Sequence, residues 1–230
     1  MTDSAHTHLR ARICAVGKSL YQRGYVHATA GNISVRLEEG GFLITPTDAC
    51  LGTLEPEQLA HVDANDVHLS GGTPSKTLRL HRRIYQAAPH ARCVLHTHST
   101  HLVALTLAGV WSQQAVLPPI TPYFVMKVGQ VPLVPYAAPG DAGVAVAVGT
   151  LAGRAATRAV VLERLGPVVW SESPESASAV LEELEETARL YLMTTPKASA
   201  LGADSVAELC ARFRTQWYIS TVSCDDSLQL

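Results

Sequence analysis

With 230 residues, 47% of them hydrophobic, and a formal net charge of −2, the chain can build one large core and carries no charge excess to hold a polyanion. It has no Lys/Arg cluster to neutralise a run of phosphates, which argues against nucleic acid as a partner. No stretch reaches the roughly 18 apolar residues of a membrane span.

Residues 7–24 are predicted as a helix, from the spacing of Ile13, Val16, Leu20 and Tyr21, with Gly24 as its stop. "ATAGNISVRLEEGGFLITPT" then reads as a Gly-Asn turn, a strand, an "EEGG" hairpin and a second strand, "FLIT". A helix follows from near Pro74 to about Ala88, then the strand "RCVLHTH" and the helix "STHLVALTLAG". "VPLVPY" is a short strand, 142–152 a helix, and "RAVVLERLG" a strand. The helix over 174–194 has an apolar stripe of Ala177, Val180, Leu181, Leu184, Ala188 and Tyr191, with Glu185 placed to pair with Arg189. A last helix covers roughly 204–217. Irregular alternation with hairpins predicts an α/β fold, a mixed central sheet flanked by helices, and a single domain over 1–230. Five scattered cysteines without CxxC spacing, and an N-terminus without a long apolar run, predict reduced thiols and a cytoplasmic protein.

Chemistry concentrates in a few short segments. In "VLHTHSTH" (94–101) an extended strand would turn His96 and His98 to one side, about 6–7 Å apart at the backbone, where both could reach one metal ion. Two histidines hydrogen-bonded to backbone at a strand end would give the same pattern. "TAGNIS" (29–34) can present the N–H groups of Gly31 and Asn32 to an anion, although such turns also join ordinary hairpins. In "ITPTD" (44–48), Thr45 and Thr47 flank a proline. In "PSK" (74–76), Ser75 and Lys76 would sit at the positive end of a helix dipole, with a plain N-cap as the alternative for Ser75.

Together these segments resemble the class II aldolase/adducin family along nearly the whole chain, through "VVLERLGPVV" and "LEELEETARLYL". The stretches "GTPSKTLRLHRRIY", "HTHSTH", "VLPPITPYFVMKVGQVPLVPY" and "PGD" resemble its 3-oxo-tetronate 4-phosphate decarboxylase branch most. The resemblance implies a homotetramer with active sites at subunit boundaries, a divalent metal (usually Zn²⁺) and a small, anionic, phosphorylated sugar-like substrate. It also implies that Gly31, Asn32, Thr45, Ser75 and Lys76 contact phosphate, that His96 and His98 ligate the metal, and that Tyr123 moves a proton.

Two main departures and a smaller one break that pattern. Thr77 stands at the catalytic position where the family has a glutamate base, and Leu165 where it has a third histidine ligand. Asp48 also stands where many relatives have glycine. Glu163 could complete a two-histidine-one-carboxylate set of the kind that binds Fe(II), with His101 or His81 as other substitutes. Each has an ordinary alternative: an ion-paired strand residue, a cap and a packed helix histidine. Three functions follow from this pattern: a carbon–carbon lyase, a repurposed enzyme on the same fold using Fe(II) or no metal, or a non-catalytic binding module.

Overall fold

The computed structural model describes residues 2–138, 140–194 and 196–217. Eight strands form one sheet: β1 (Asn32–Arg36), β2 (Phe42–Ile44), β3 (Ala60–Val62), β4 (His68–Ser70), β5 (Cys93–His96), β6 (Leu133–Val134), β7 (Ala159–Leu162) and β8 (Gly166–Ser171). Their spatial order is β4-β3-β2-β1-β5-β8-β7-β6, and every pairing is antiparallel except β6 with β7. The helices are α1 (Thr2–Gln22), α2 (Leu78–Ala87), α3 (Thr100–Ala108), α4 (Ala142–Ala152), α5 (Pro174–Met193) and α6 (Ala203–Phe213). A single π-helical turn spans Phe124–Val128. The mixed sheet with flanking helices is the predicted architecture.

Strand alternation sorts the side chains into two layers. Ile33, Val35, Cys93, Leu95, Val161 and Val169 face Ile13 and Leu20 of α1, Leu102 of α3 and Leu181 of α5. Val94, Val160, Val168 and Trp170 face the other way, onto Ile84 and Tyr85 of α2 and Val148 of α4. The polar residues Asn32, Ser34 and His96 lie on this second face, at the end of the sheet that α2 covers.

Several sequence expectations need correction. The segment "RAVVLERLG" is two strands, because Glu163–Leu165 turn sharply with Arg164 at φ +64°. Glu163 and Leu165 therefore do not share a strand face. The helix expected from Pro74 starts only at Leu78, since Pro74 pairs with Pro46 and the Thr47 N–H donates to the Thr73 carbonyl, holding residues 73–74 extended. Ser75 and Lys76 thus precede the helix, and Thr77 occupies its N-cap. Strand β5 ends at His96, so His98 stands just beyond it. The short strands β3 and β4 were not anticipated.

Glu185 is the largest correction. Its carboxylate is 2% exposed and does not meet Arg189, which pairs instead with Glu186. It accepts the N–H groups of His101 and Leu102 and contacts His101 Nδ1, capping the first turn of α3. An anion among the free N–H groups of a helix start is favoured by both hydrogen bonding and the dipole.

Glu185→Ala should therefore lower stability by about 2–4 kcal/mol, since it leaves two buried donors unpaired and a cavity. Glu185→Gln should restore a substantial part, as read from urea midpoints. Equal losses in the two variants would contradict the capping role.

Candidate functional site

The β1–β5 register sets Asn32 directly opposite His96. On the other edge of β1, the Thr45 N–H donates to the Ile33 carbonyl, and Thr45 Oγ1 accepts the Ile33 N–H at 3.2 Å. Thr47 Oγ1 donates to the Pro74 carbonyl, also at 3.2 Å, tying the 45–48 loop to the 73–76 loop. The segments carrying Asn32, Thr45, Ser75 and Lys76 are therefore stitched side by side, next to His96. Lys76 is exposed, and among the described residues its amine makes no hydrogen bond or ion pair. Ser75 Oγ and Thr77 Oγ1 share a hydrogen bond of 2.8 Å.

Two glycines clamp the backbone of the histidine segment from opposite sides. Gly31 has φ +86°, and a β-carbon there would stand 2.8 Å from the His96 carbonyl oxygen. Gly166 has φ +123°, and a β-carbon there would come within 2.3 Å of the Thr97 carbonyl oxygen. Any other residue would push the segment away.

His96 is buried, and its Nδ1–H donates to the Pro167 carbonyl at 2.8 Å. That bond fixes the tautomer and leaves the Nε2 lone pair free. Burial, with the nearby His98, pushes the pKa of His96 down to about 4, so the ring is neutral near pH 7. His98 is half-buried, and burial followed by His27 lowers its pKa. The two ring centroids lie 5.0 Å apart. Two imidazoles sharing one tetrahedral ion, each with Zn–N near 2.0–2.1 Å, would show a spacing of about 5 Å. In donor chemistry and spacing the pair thus fits two ligand positions of a divalent cation. Among the described residues, no group of three His, Cys, Asp or Glu side chains could hold an ion as it stands.

The substitutes considered for the third ligand are engaged elsewhere. The Glu163 carboxylate accepts the Tyr136 N–H at 2.8 Å. His101 Nδ1 is 2.9 Å from the Glu185 carboxylate. Leu165, partly buried, packs against the core formed with α2 and α4. Tyr123 is 61% exposed, just before the π-helical turn. One residue that the sequence reading passed over stands beside the pair: the His27 ring is 6.4 Å from that of His98.

His81 is fully buried behind Asn32 and His96, where it shares a 2.7 Å hydrogen bond between Nδ1 and Ser34 Oγ. Ser34 Oγ also meets the Tyr85 hydroxyl at 2.8 Å, and that hydroxyl donates to the Ser34 carbonyl. All three contacts are satisfied when His81 Nδ1–H donates to Ser34 and the Ser34 hydroxyl donates to Tyr85. This leaves the His81 Nε2 lone pair without a partner, as is Asn32 Oδ1, both buried.

This combination of fold and site defines a class. The chain matches the class II aldolase and adducin N-terminal domain over residues 11–192 and belongs to that family. It is 55% identical over 219 residues to the 3-oxo-tetronate 4-phosphate decarboxylase of Cupriavidus necator, covering 93% of this chain and all of that relative. The protein of the same name from Pectobacterium atrosepticum is 42% identical over 208 residues, 90% of this chain and 94% of the relative. Among solved structures, YgbL from Escherichia coli superposes with a TM-score of 0.84 at 40% identity, covering 89% of this chain and 99% of that one. No helix among the described residues is long and apolar enough to cross a membrane.

His81 supplies a prediction on pH. Burial pushes its pKa down to about 3, against an ordinary 6.5. Between those values the unfolded chain takes up a proton that the folded chain refuses. Its contribution to stability is therefore complete above pH 6.5 and falls by about 1.4 kcal/mol per pH unit below it. In His81→Asn, the dependence of unfolding free energy on pH between 6 and 4 should lose about one proton's worth of slope. An unchanged slope would show that the ring is not held neutral.

Proposed function

We propose that this chain is a carbon–carbon lyase that decarboxylates a small phosphorylated 3-oxo sugar acid, in active sites completed at the subunit boundaries of a homotetramer. The observation that carries this reading is the register that sets Asn32, at the head of the anion loop, opposite His96. The names of the relatives support the substrate class.

Gly31 and Asn32, with Thr45, Ser75 and Lys76, receive the phosphate. The Lys76 ammonium supplies charge, while backbone N–H groups and hydroxyls supply direction. That anchorage aims the oxo group of the substrate at His96 and His98. His96 and His98 would hold a divalent cation there, Zn²⁺ by family resemblance, which would supply Lewis-acid chemistry when bound. The bond between the carboxylate carbon and the neighbouring carbon breaks, CO₂ departs, and the electron pair is delocalised onto the oxo oxygen as an enolate. A proton then returns to the carbon, delivered by the Tyr123 hydroxyl of an adjoining subunit.

Thr77 favours decarboxylation over aldol cleavage. Aldol cleavage must first remove a hydroxyl proton, and a threonine hydroxyl cannot accept one near pH 7. A carboxylate is already ionised, so loss of CO₂ needs no base, only a sink for the electrons and a later acid. Thr77, bonded to Ser75, then helps shape the phosphate loop.

Release of CO₂ from a 3-oxo-tetronate 4-phosphate, compared with the unphosphorylated acid, tests this reading. Lys76→Ala should raise KM at least about tenfold with a smaller change in kcat, the signature of lost ground-state binding. Equal turnover of both acids would overturn the phosphate assignment. Mixing Lys76→Ala with Tyr123→Phe chains should restore about a quarter of wild-type activity when each site draws Lys76 and Tyr123 from different subunits. No recovery would place both in one subunit.

A further inference from the structure

We propose that His27 is the third imidazole of the metal centre, supplying from the β1 side of β5 the ligand that Leu165 cannot supply from the β8 side. The inference rests on His96 and His98 being metal ligands, and adds a residue that the family pattern does not.

The backbone around His27 is anchored close to the pair. Tyr25 and Val26 are buried, the Ala30 N–H donates to the His27 carbonyl, and a β-carbon on Gly31 would touch both Val26 and the His96 carbonyl oxygen. The side chain, by contrast, is uncommitted. It is exposed, and among the described residues its ring makes no hydrogen bond. Among the described residues its ring neighbour is His98, at 6.4 Å and an interplanar angle of 70°.

For the His27–His98 pair that distance exceeds the spacing of about 5 Å expected of two imidazoles on one tetrahedral ion by little more than an ångström, and the ring must turn to face His96 as well. An exposed side chain closes such a gap by turning about χ1 and χ2, at a cost of about 1 kcal/mol. The metal–nitrogen bond formed is worth far more. His96 and His98 already have the required 5.0 Å spacing. Other donors nearby have no such freedom: Glu163 and His101 are bound to Tyr136 and Glu185, and His81 is locked in the core by Ser34. A set of three imidazoles with one open position suits Zn²⁺ and is one of the ligand sets found in catalytic zinc sites.

The test uses the full chain, stripped with a chelator and titrated with Co²⁺, whose visible absorption reports ligand number and type. Wild type should bind one ion per chain with the intense bands of a tetrahedral site. His27→Ala should fold normally but bind at least about a hundredfold more weakly, the upper end of what losing an outer-shell partner costs. Its bands should also weaken towards those of higher coordination. His27→Cys should restore binding and add a thiolate-to-cobalt charge-transfer band, which only a direct ligand gives. If His27→Ala binds like wild type while His96→Ala does not, the proposal falls and the histidine pair stands. If wild type binds no ion, or His96→Ala binds as wild type does, the reading of the pair falls, and this proposal with it.

Discussion

The site depends on one strand pairing. β1 and β5 run antiparallel with Asn32 facing His96, so two short polar segments 64 positions apart in the chain become neighbours. A slip of one residue would turn every side chain of β5 over. His96 would then face α5, and the apolar Leu95 would take its place beside Asn32. Ile33, Leu95 and Val169 on one face and Val94, Val168 and Trp170 on the other oppose any such slip, because each core would lose its apolar wall. The apolar layers thus set the position of the polar end. The glycines at 31 and 166 finish the placement by letting three backbones approach where no β-carbon fits.

The polar residues at this end of the sheet fall into two groups. Ser34, His81 and Tyr85 are locked together and deep in the structure, and they hold the helix α2 against β1. His98, Lys76 and His27 lie at or near the surface, and among the described residues none of their side chains makes a hydrogen bond. Rigid support beneath adaptable contacts is the arrangement that a binding site needs, since the deep layer fixes distances and the outer layer adjusts to charge. Asn32 and His96 are both buried beside them: Asn32 Oδ1 has no hydrogen-bond partner among the described residues, and His96 Nδ1 is taken by the Pro167 carbonyl.

Much of this was legible in the chain. The apolar stripe of α5 and the "EEGG" hairpin follow ordinary periodicities, and both stand where expected. What escaped notice lacks such a signal. β3 and β4 are three residues each, too short to display alternation, and β4 is wholly exposed. The turn at Glu163–Leu165 bends at Arg164, a residue type that seldom adopts positive φ, so a β-branched run flowed on through it. Glu185 did carry a signal, since it lies inside the apolar stripe, four residues after Leu181 and three before Ala188. A carboxylate in that position needs a partner within the core, which the exposed Arg189 four residues on does not supply. For the site, the motifs identified the loops, but neither His27 nor the employment of Glu163 and His101 could be read without the third dimension.

The cap that Glu185 places on α3 has a mechanical consequence. α3 begins two residues after His98, so the loop bearing that histidine is fastened at one end to β5 and at the other, through a single carboxylate, to the middle of α5. Helix α5, 20 residues long, is therefore a lever arm with its fulcrum in the core and its load at the histidines. A tilt of α5 reaches the reactive end through hydrogen bonds rather than through deformable hydrocarbon. The footing of the His98 loop is thus set partly by how α5 packs, and not only by the residues that surround the imidazoles.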